Sequence, residues 1–156
     1  MMTSNPTLNI RLANQQDLPS ILPLFWDDKP ELKQACRGEI TDDMQAIFEW
    51  FEHSSDHFLY VATLDNVVVG TLQLSFIPQF TYNGEIRANI EGVFIANNAQ
   101  GQGVGAALVK FAIEQSRQNG CKIVQLVSNQ VRERAHRFYE RLGFEKSHFG
   151  FKYYME

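Results

Sequence analysis

NNAQGQGVGAALVKF, residues 97–111, sets glycines at every second position, Gly101, Gly103 and Gly105. Val104, Ala107, Leu108 and Phe111 then fall at i, i+3, i+4 and i+7, one face of a helix. The segment before the glycines, Ile86 to Ala96 (IRANIEGVFIA), reads as a long strand. The order is therefore strand, glycine-rich turn, helix start. The first amides of a helix have no internal partner, and the helix dipole adds partial positive charge there. Glycines let the backbone approach a ligand without a Cβ in the way. Such a turn is an anion site made of backbone amides, suited to a pyrophosphate. Taken alone, a flexible loop before a plain helix start satisfies the same spacing equally well.

Context removes two nucleotide readings. Gly101-x-Gly103-x-x-Ala106 matches the dinucleotide fingerprint. A dinucleotide fold wants an acid at the end of the next strand. Here that strand ends Val127-Ser128-Asn129, and too little chain follows for the rest of a doubly wound sheet. No Gly-Lys-Ser/Thr follows the glycines, so the phosphate loop of nucleotide triphosphatases is absent.

Working outward, Thr7 to Leu12 alternates as a short strand, and Asp17 is placed to cap a helix through Leu18 and Phe25, with Pro19 in its first turn. Thr41 opens a second helix carrying Met44, Ile47, Phe48 and Phe51. Phe58–Leu64 and Val67–Phe76 are β-rich runs joined by Asp65-Asn66, a tight hairpin signal, and residues 78–84 read as a loop. Beyond the glycine helix, Asn119-Gly120 is a stop. KIVQLV, residues 122–127, reads as a buried parallel strand. A last helix carries Val131, Ala135, Phe138, Tyr139 and Leu142 on one stripe, with Gly143 as its cap. Phe144 to Met155 reads as a final aromatic strand. The whole is one α/β domain, residues 1–156, with a mixed central sheet flanked by helices.

Bulk properties bound the function. The 156 residues are 44% hydrophobic with twelve Phe, enough for one packed core. No apolar run reaches the roughly 18 residues of a membrane span. Residues 1–17 lack a basic region followed by an apolar one, so no secretory signal is expected. Cys36 and Cys121 show no metal or redox spacing and read as buried free thiols in the cytoplasm. The net charge is −4, with acids crowded into residues 27–56 and bases into residues 101–156. That asymmetry fits solvated helix faces, or a bipolar cleft with a polyanion at the C-terminal part and a cation at the N-terminal part. An acidic chain without a basic stripe does not suit nucleic acid.

Residues 85–154 resemble the GNAT acetyltransferases. The pyrophosphate motif of that family stands here as Gln100-Gly101-Gln102-Gly103-Val104-Gly105, and its C-terminal aromatic helix as AHRFYERLGF, Ala135 to Phe144. The resemblance implies the GNAT acyl-CoA N-acyltransferase fold and acetyl-CoA as cosubstrate. It implies that Val93, Phe94 and Ile95 face the pantetheine and thioester, the amide near Val93 polarising the thioester carbonyl. It implies that the amides of Gln100 to Ala106 hold the pyrophosphate. Tyr139 becomes the proton donor to the leaving thiolate, although its place on the apolar stripe equally suits core packing. Glu91, set in an otherwise apolar strand, is the general-base candidate through partial burial, or else a plain outward residue; Glu85 stands in reserve. Asn129, Arg132 and Phe138 are further cofactor-side candidates, the spacing of Asn129 differing from the common family pattern. His53, Glu52 and His57 form no convincing metal set, and no metal is expected.

The acceptor side is carried by the least recognisable parts, roughly residues 25–49 and 77–87. The acids of residues 27–56 suggest the primary amine of a small cationic molecule. AHRFYERLGFEKSHF also resembles aminoalkylphosphonate acetyltransferases. That class would demand a basic pocket, for which Lys29, Lys33, Arg37 and Arg87 are available. Peptide N-acetylation and a non-catalytic acetyl-CoA-binding module remain open, as does a homodimer through sheet edges near the C-terminal strand.

Overall fold

The hairpin signal at Asp65-Asn66 is the centre of the observed sheet. Residues 5–81 and 83–156 are described in a computed structural model. Asp65 and Asn66 both take positive φ, 47° and 67°, as a tight turn between twisted strands requires. The turn joins β2 (His57–Leu64) to β3 (Val67–Pro78), and β3 turns back into β4 (Ile86–Ile95). Of the expected 78–84 loop, residue 82 lies outside the described residues. With β1 (Leu8–Leu12) and β5 (Ile123–Leu126) the sheet runs β1-β2-β3-β4-β5 and is mixed, the first three pairings being antiparallel.

The chain divides after Gln125 into two compact units. In the first, α1 (Leu18–Asp28), α2 (Pro30–Ala35) and α3 (Asp42–His53) precede the hairpin, and α4 (Val104–Gln118) follows β4. Thr41 caps α3 as expected, its hydroxyl accepting from the Met44 amide at 3.2 Å. Asp17 takes the N-cap position of α1 as expected, but its side chain makes no capping bond there. Its buried carboxylate accepts instead from Arg11 Nη1 (2.6 Å), Arg11 Nη2 (2.9 Å) and the Asn14 amide (2.8 Å). A bidentate guanidinium is a stronger partner than a helix amide. Helix α1 runs through Pro23, because Ile21, Leu22 and Leu24 are buried and their packing outweighs the lost hydrogen bond.

Period-two alternation sorts the sheet into two apolar faces. On one, Leu18, Leu22 and Phe48 pack with Leu59. On the other, Tyr60 meets Phe111 of α4, ring centroids 4.9 Å apart. Gly70 of β3 lies under α4. A Cβ there would stand 2.9 Å from Ile95 Cδ1, 3.0 Å from Leu108 Cδ1 and 3.3 Å from Val104 Cγ1.

The C-terminal unit holds α5 (Glu133–Arg141). Two expectations fail there. Val131 is 77% exposed and precedes the helix, because Asn129 turns the chain first, its side chain accepting the Val131 amide at 3.1 Å. Phe144 to Met155 forms no strand: residues 144–156 are irregular, and Phe149, Phe151, Tyr153 and Tyr154 are 81–94% exposed. Gly143 does take the left-handed cap conformation, φ 95°. KIVQLV is less buried than expected, with Ile123 at 42% exposure on an edge strand of the sheet. Cys36 and Cys121 are free thiols, half-buried rather than buried.

Candidate active site

The segment between β4 and α4 has the conformation its glycines suggest. Gly101 and Gly103 take φ values of 77° and 83°, in the left-handed region. Nothing stands within 4 Å of where a Cβ would sit on either, so it is backbone conformation that calls for glycine at both positions. Gly103 is the N-cap of α4, and no side chain caps the helix. The first helical bond is Ala107 N–H to Gly103 C=O, 3.0 Å. The amides of Val104, Gly105 and Ala106 precede it and have no place in the helical ladder. Three donors at the positive end of a fifteen-residue helix, behind an open glycine turn, suit a pyrophosphate.

Gln100 and Gln102 face their own loop with their side chains. Gln100 Nε2 donates to Ile95 C=O and Asn97 Oδ1, each at 3.3 Å, and Gln102 Nε2 donates to Asn98 C=O at 2.8 Å. These bonds brace the turn, leaving the loop's contribution to a ligand with its backbone.

Upstream, β4 carries a bulge that the sequence analysis did not anticipate. The register passes from Gln73↔Glu91 to Thr71↔Phe94, so Leu72 alone opposes Gly92 and Val93. Gly92 sits at φ 58°, which makes the extra residue cheap. A glycine inside an apolar strand, as in IEGVFI, is the signal that could have revealed it. The bulge interrupts the ladder at Val93 and re-aims its backbone groups. Phe94 packs edge-on against Phe25 at 4.9 Å, and Ile95 lies over Gly70; both residues are half-buried. Glu91 is exposed, against the expected partial burial. Its strand neighbours Ala88 and Ile90 are buried, but on the opposite face. Glu85 is half-buried.

Asn129, Arg132, Phe138 and Tyr139 belong to the C-terminal unit. Asn129 is structural in its local bonds: its carbonyl accepts from the Arg132 amide (3.0 Å) and from His136 Nε2 (2.8 Å). Arg132 is the exposed N-cap of α5. Tyr139 is half-buried, with the Phe138 and Phe144 rings at 5.1 and 5.8 Å. Burial holds its phenol above the ordinary value, partly countered by the Arg132 charge. Arg137 pairs with Glu133 at 3.7 Å on the exposed side of the helix. No cluster of three His, Cys, Asp or Glu exists among the described residues, and none of their helices is long and apolar enough to cross a membrane.

Residues 18–144 match the acetyltransferase (GNAT) family model. An aminoalkylphosphonate N-acetyltransferase of Salmonella typhimurium is 34% identical over 151 residues, covering 94% of this chain and 90% of that protein. Among solved structures, a transcriptional regulator from Bacillus halodurans is 36% identical with a TM-score of 0.87, over 96% of this chain and all of that one. An aminoglycoside N-acetyltransferase solved with CoA shares the fold at 18% identity, TM-score 0.80, over 99% of each chain. Identity spread over nearly all of both chains, joined to a family match that runs from α1 to the end of the aromatic helix motif, leaves one assignment: the chain belongs to the GNAT family and is an N-acetyltransferase.

Proposed function

We propose that this enzyme moves the acetyl group of acetyl-CoA to the primary amine of a small cationic molecule by direct attack on the thioester. The observation that carries this reading is the sequence of bulge, glycine turn and uncapped helix start between Gly92 and Ala106. The amides of Gln100 to Ala106 hold the pyrophosphate. The Val93 amide, released from the ladder by the bulge, donates to the carbonyl oxygen as it gains charge. Glu91 takes the ammonium proton through water, which suits an exposed carboxylate better than direct contact. Tyr139 returns a proton to the leaving thiolate. Its phenol is neutral at physiological pH, since burial raises an already high value. Asn129, Arg132 and Phe138 line the cofactor side, and residues 1–156 act as one catalytic domain. These roles in the C-terminal unit rest on the resemblance of AHRFYERLGF and on the family match across both units.

The enzyme is cytoplasmic and works as a homodimer through its C-terminal segment. What supports the dimer is the exposed aromatic set Phe149, Phe151, Tyr153 and Tyr154. At roughly 150–250 Å² per aromatic ring, these side chains approach the roughly 800 Å² per partner of a standard interface. Among acceptors, an aminoalkylphosphonate is the subordinate reading, supported by the Salmonella relative.

Calorimetric titration with acetyl-CoA, followed by an amine panel read through free-thiol release, tests the proposal. Binding with amine-dependent release supports the transferase. Binding without release from any amine overturns the small-amine acceptor, and no binding overturns the acetyl-CoA site.

A further inference from the structure

On the face of the sheet opposite α4, β4 presents Arg87, Asn89 and Glu91, which pair in register with Ile77, Ser75 and Gln73 of β3. The intervening Ala88 and Ile90 are buried on the other side. A polar chain crosses this face. Arg87 Nη1 donates to Gln125 Oε1 at 3.2 Å, and Gln125 Nε2 donates to Asn89 Oδ1 at 3.4 Å. Gln125 thus holds one arm of the guanidinium by a neutral acceptor. Arg87 Nε is buried and has no hydrogen-bond partner among the described residues. No carboxylate among them forms an ion pair with Arg87.

A buried guanidinium N–H without an acceptor is costly, and native proteins rarely leave one so. The guanidinium fork fits a phosphonate or carboxylate with two parallel hydrogen bonds. Glu91 stands four residues along the same strand, about 13 Å away at Cα. Long side chains reaching from both positions shorten that gap to the length of a small molecule. We infer that Arg87, positioned by Gln125 and Asn89, reads an anionic group on the acceptor. The acceptor is then a compact zwitterion, an amine bearing a phosphonate or carboxylate, with its ammonium toward Glu91 and its anion on Arg87. This rests on the acetyl transfer proposed above and takes a zwitterionic acceptor in place of the cationic one.

The test titrates CoA-loaded protein with 2-aminoethylphosphonate, β-alanine and propylamine, for wild type, Arg87→Gln, Arg87→Lys and Gln125→Ala. A charged hydrogen-bonded pair of this kind is worth about 10- to 100-fold in affinity. Wild type is expected to prefer one or both acidic amines to propylamine by that factor, and the two acids show which anion fits. Arg87→Gln abolishes the preference, while Arg87→Lys restores part of it. Gln125→Ala lowers it severalfold. An Arg87 that merely fastens β5 to β4 predicts something else: a lower Tm and equal weakening for all three amines. That result, or a wild type without preference for either acid, overturns the inference. Thiol release on the same panel separates the two claims. Turnover without anion preference removes the role of Arg87 and keeps the transferase. Arg87-dependent binding without turnover of any amine removes the proposed acetyl transfer to these amines and keeps the anion site.

Discussion

The two units hold their order by different means. Every buried residue among those described lies in the first unit, from Asp17 to Ser116, with Val61, Leu72, Leu74, Ile90 and Leu108 at 0–1% exposure. Each such side chain contributes about 1.5–3 kcal/mol. The second unit has none. Its nine-residue α5 is shorter than the roughly 12–15 residues at which an isolated helix becomes even marginally stable. Its local ties are the Asn129 turn, the Gly143 cap and the rings around Tyr139. The chain thus keeps its proposed anion-binding turn on a packed sheet and its proposed proton donor on a sparsely packed segment.

The largest effect should come from the sparse unit. Tyr139→Phe is expected to lower kcat by about 100- to 1000-fold, with acetyl-CoA affinity retained by calorimetry. Since burial raises the phenol, the midpoint of the wild-type alkaline loss due to this group lies above about pH 10. A limb near pH 8 that vanishes in the variant would contradict the donor role. Next comes the packed unit. Gly103→Val forces a branched residue toward φ 83° and should weaken acetyl-CoA binding about tenfold; unchanged affinity would mean that the turn is not the pyrophosphate site.

The third test concerns stability. Asp17→Asn should cost about 2–3 kcal/mol in chemical denaturation, below the full value of a buried pair because Arg11 is 37% exposed. The Arg11 hydrogen bonds hold the Asp17 carboxyl below its ordinary value. Their contribution is therefore complete above about pH 4 and fades as pH falls further. Wild type should lose stability there more steeply than the variant. The smallest effect is expected at the chain end. Phe151→Ser with Tyr153→Ser should change monomer stability by less than about 0.5 kcal/mol, yet shift the elution volume from dimer toward monomer. Marked destabilisation of a monomeric protein would erase the contrast between the units.

The packed unit was also the more legible one. Strand alternation, the Asp65-Asn66 turn, the Thr41 cap and the Asn119-Gly120 stop are local signals, and the structure follows them. What escaped depends on partners distant in sequence. Asp17 looks like a cap until Arg11 is beside it. Glu91 looks buried by its neighbours, but alternation puts them on the opposite face. Phe144 to Met155 has the composition of a strand, yet composition names no ladder partner, and none is formed. The glycine turn was readable because φ angles and free amides are local matters; the polar chain from Arg87 to Asn89 spans two strands and was not.

Gly70 carries one more consequence. It sits in a strand remote from the chemistry, yet the gap above it admits no methyl group without moving Ile95, Leu108 and Val104. Val104 opens α4, and Ile95 closes β4. A small side chain at residue 70 would turn the Ile95 and Leu108 side-chain tips aside, whereas a bulky one would press on both banks of the proposed cofactor turn. In a mutant library, bulky residues at this position would then register as losses of cosubstrate affinity, although residue 70 itself touches no ligand.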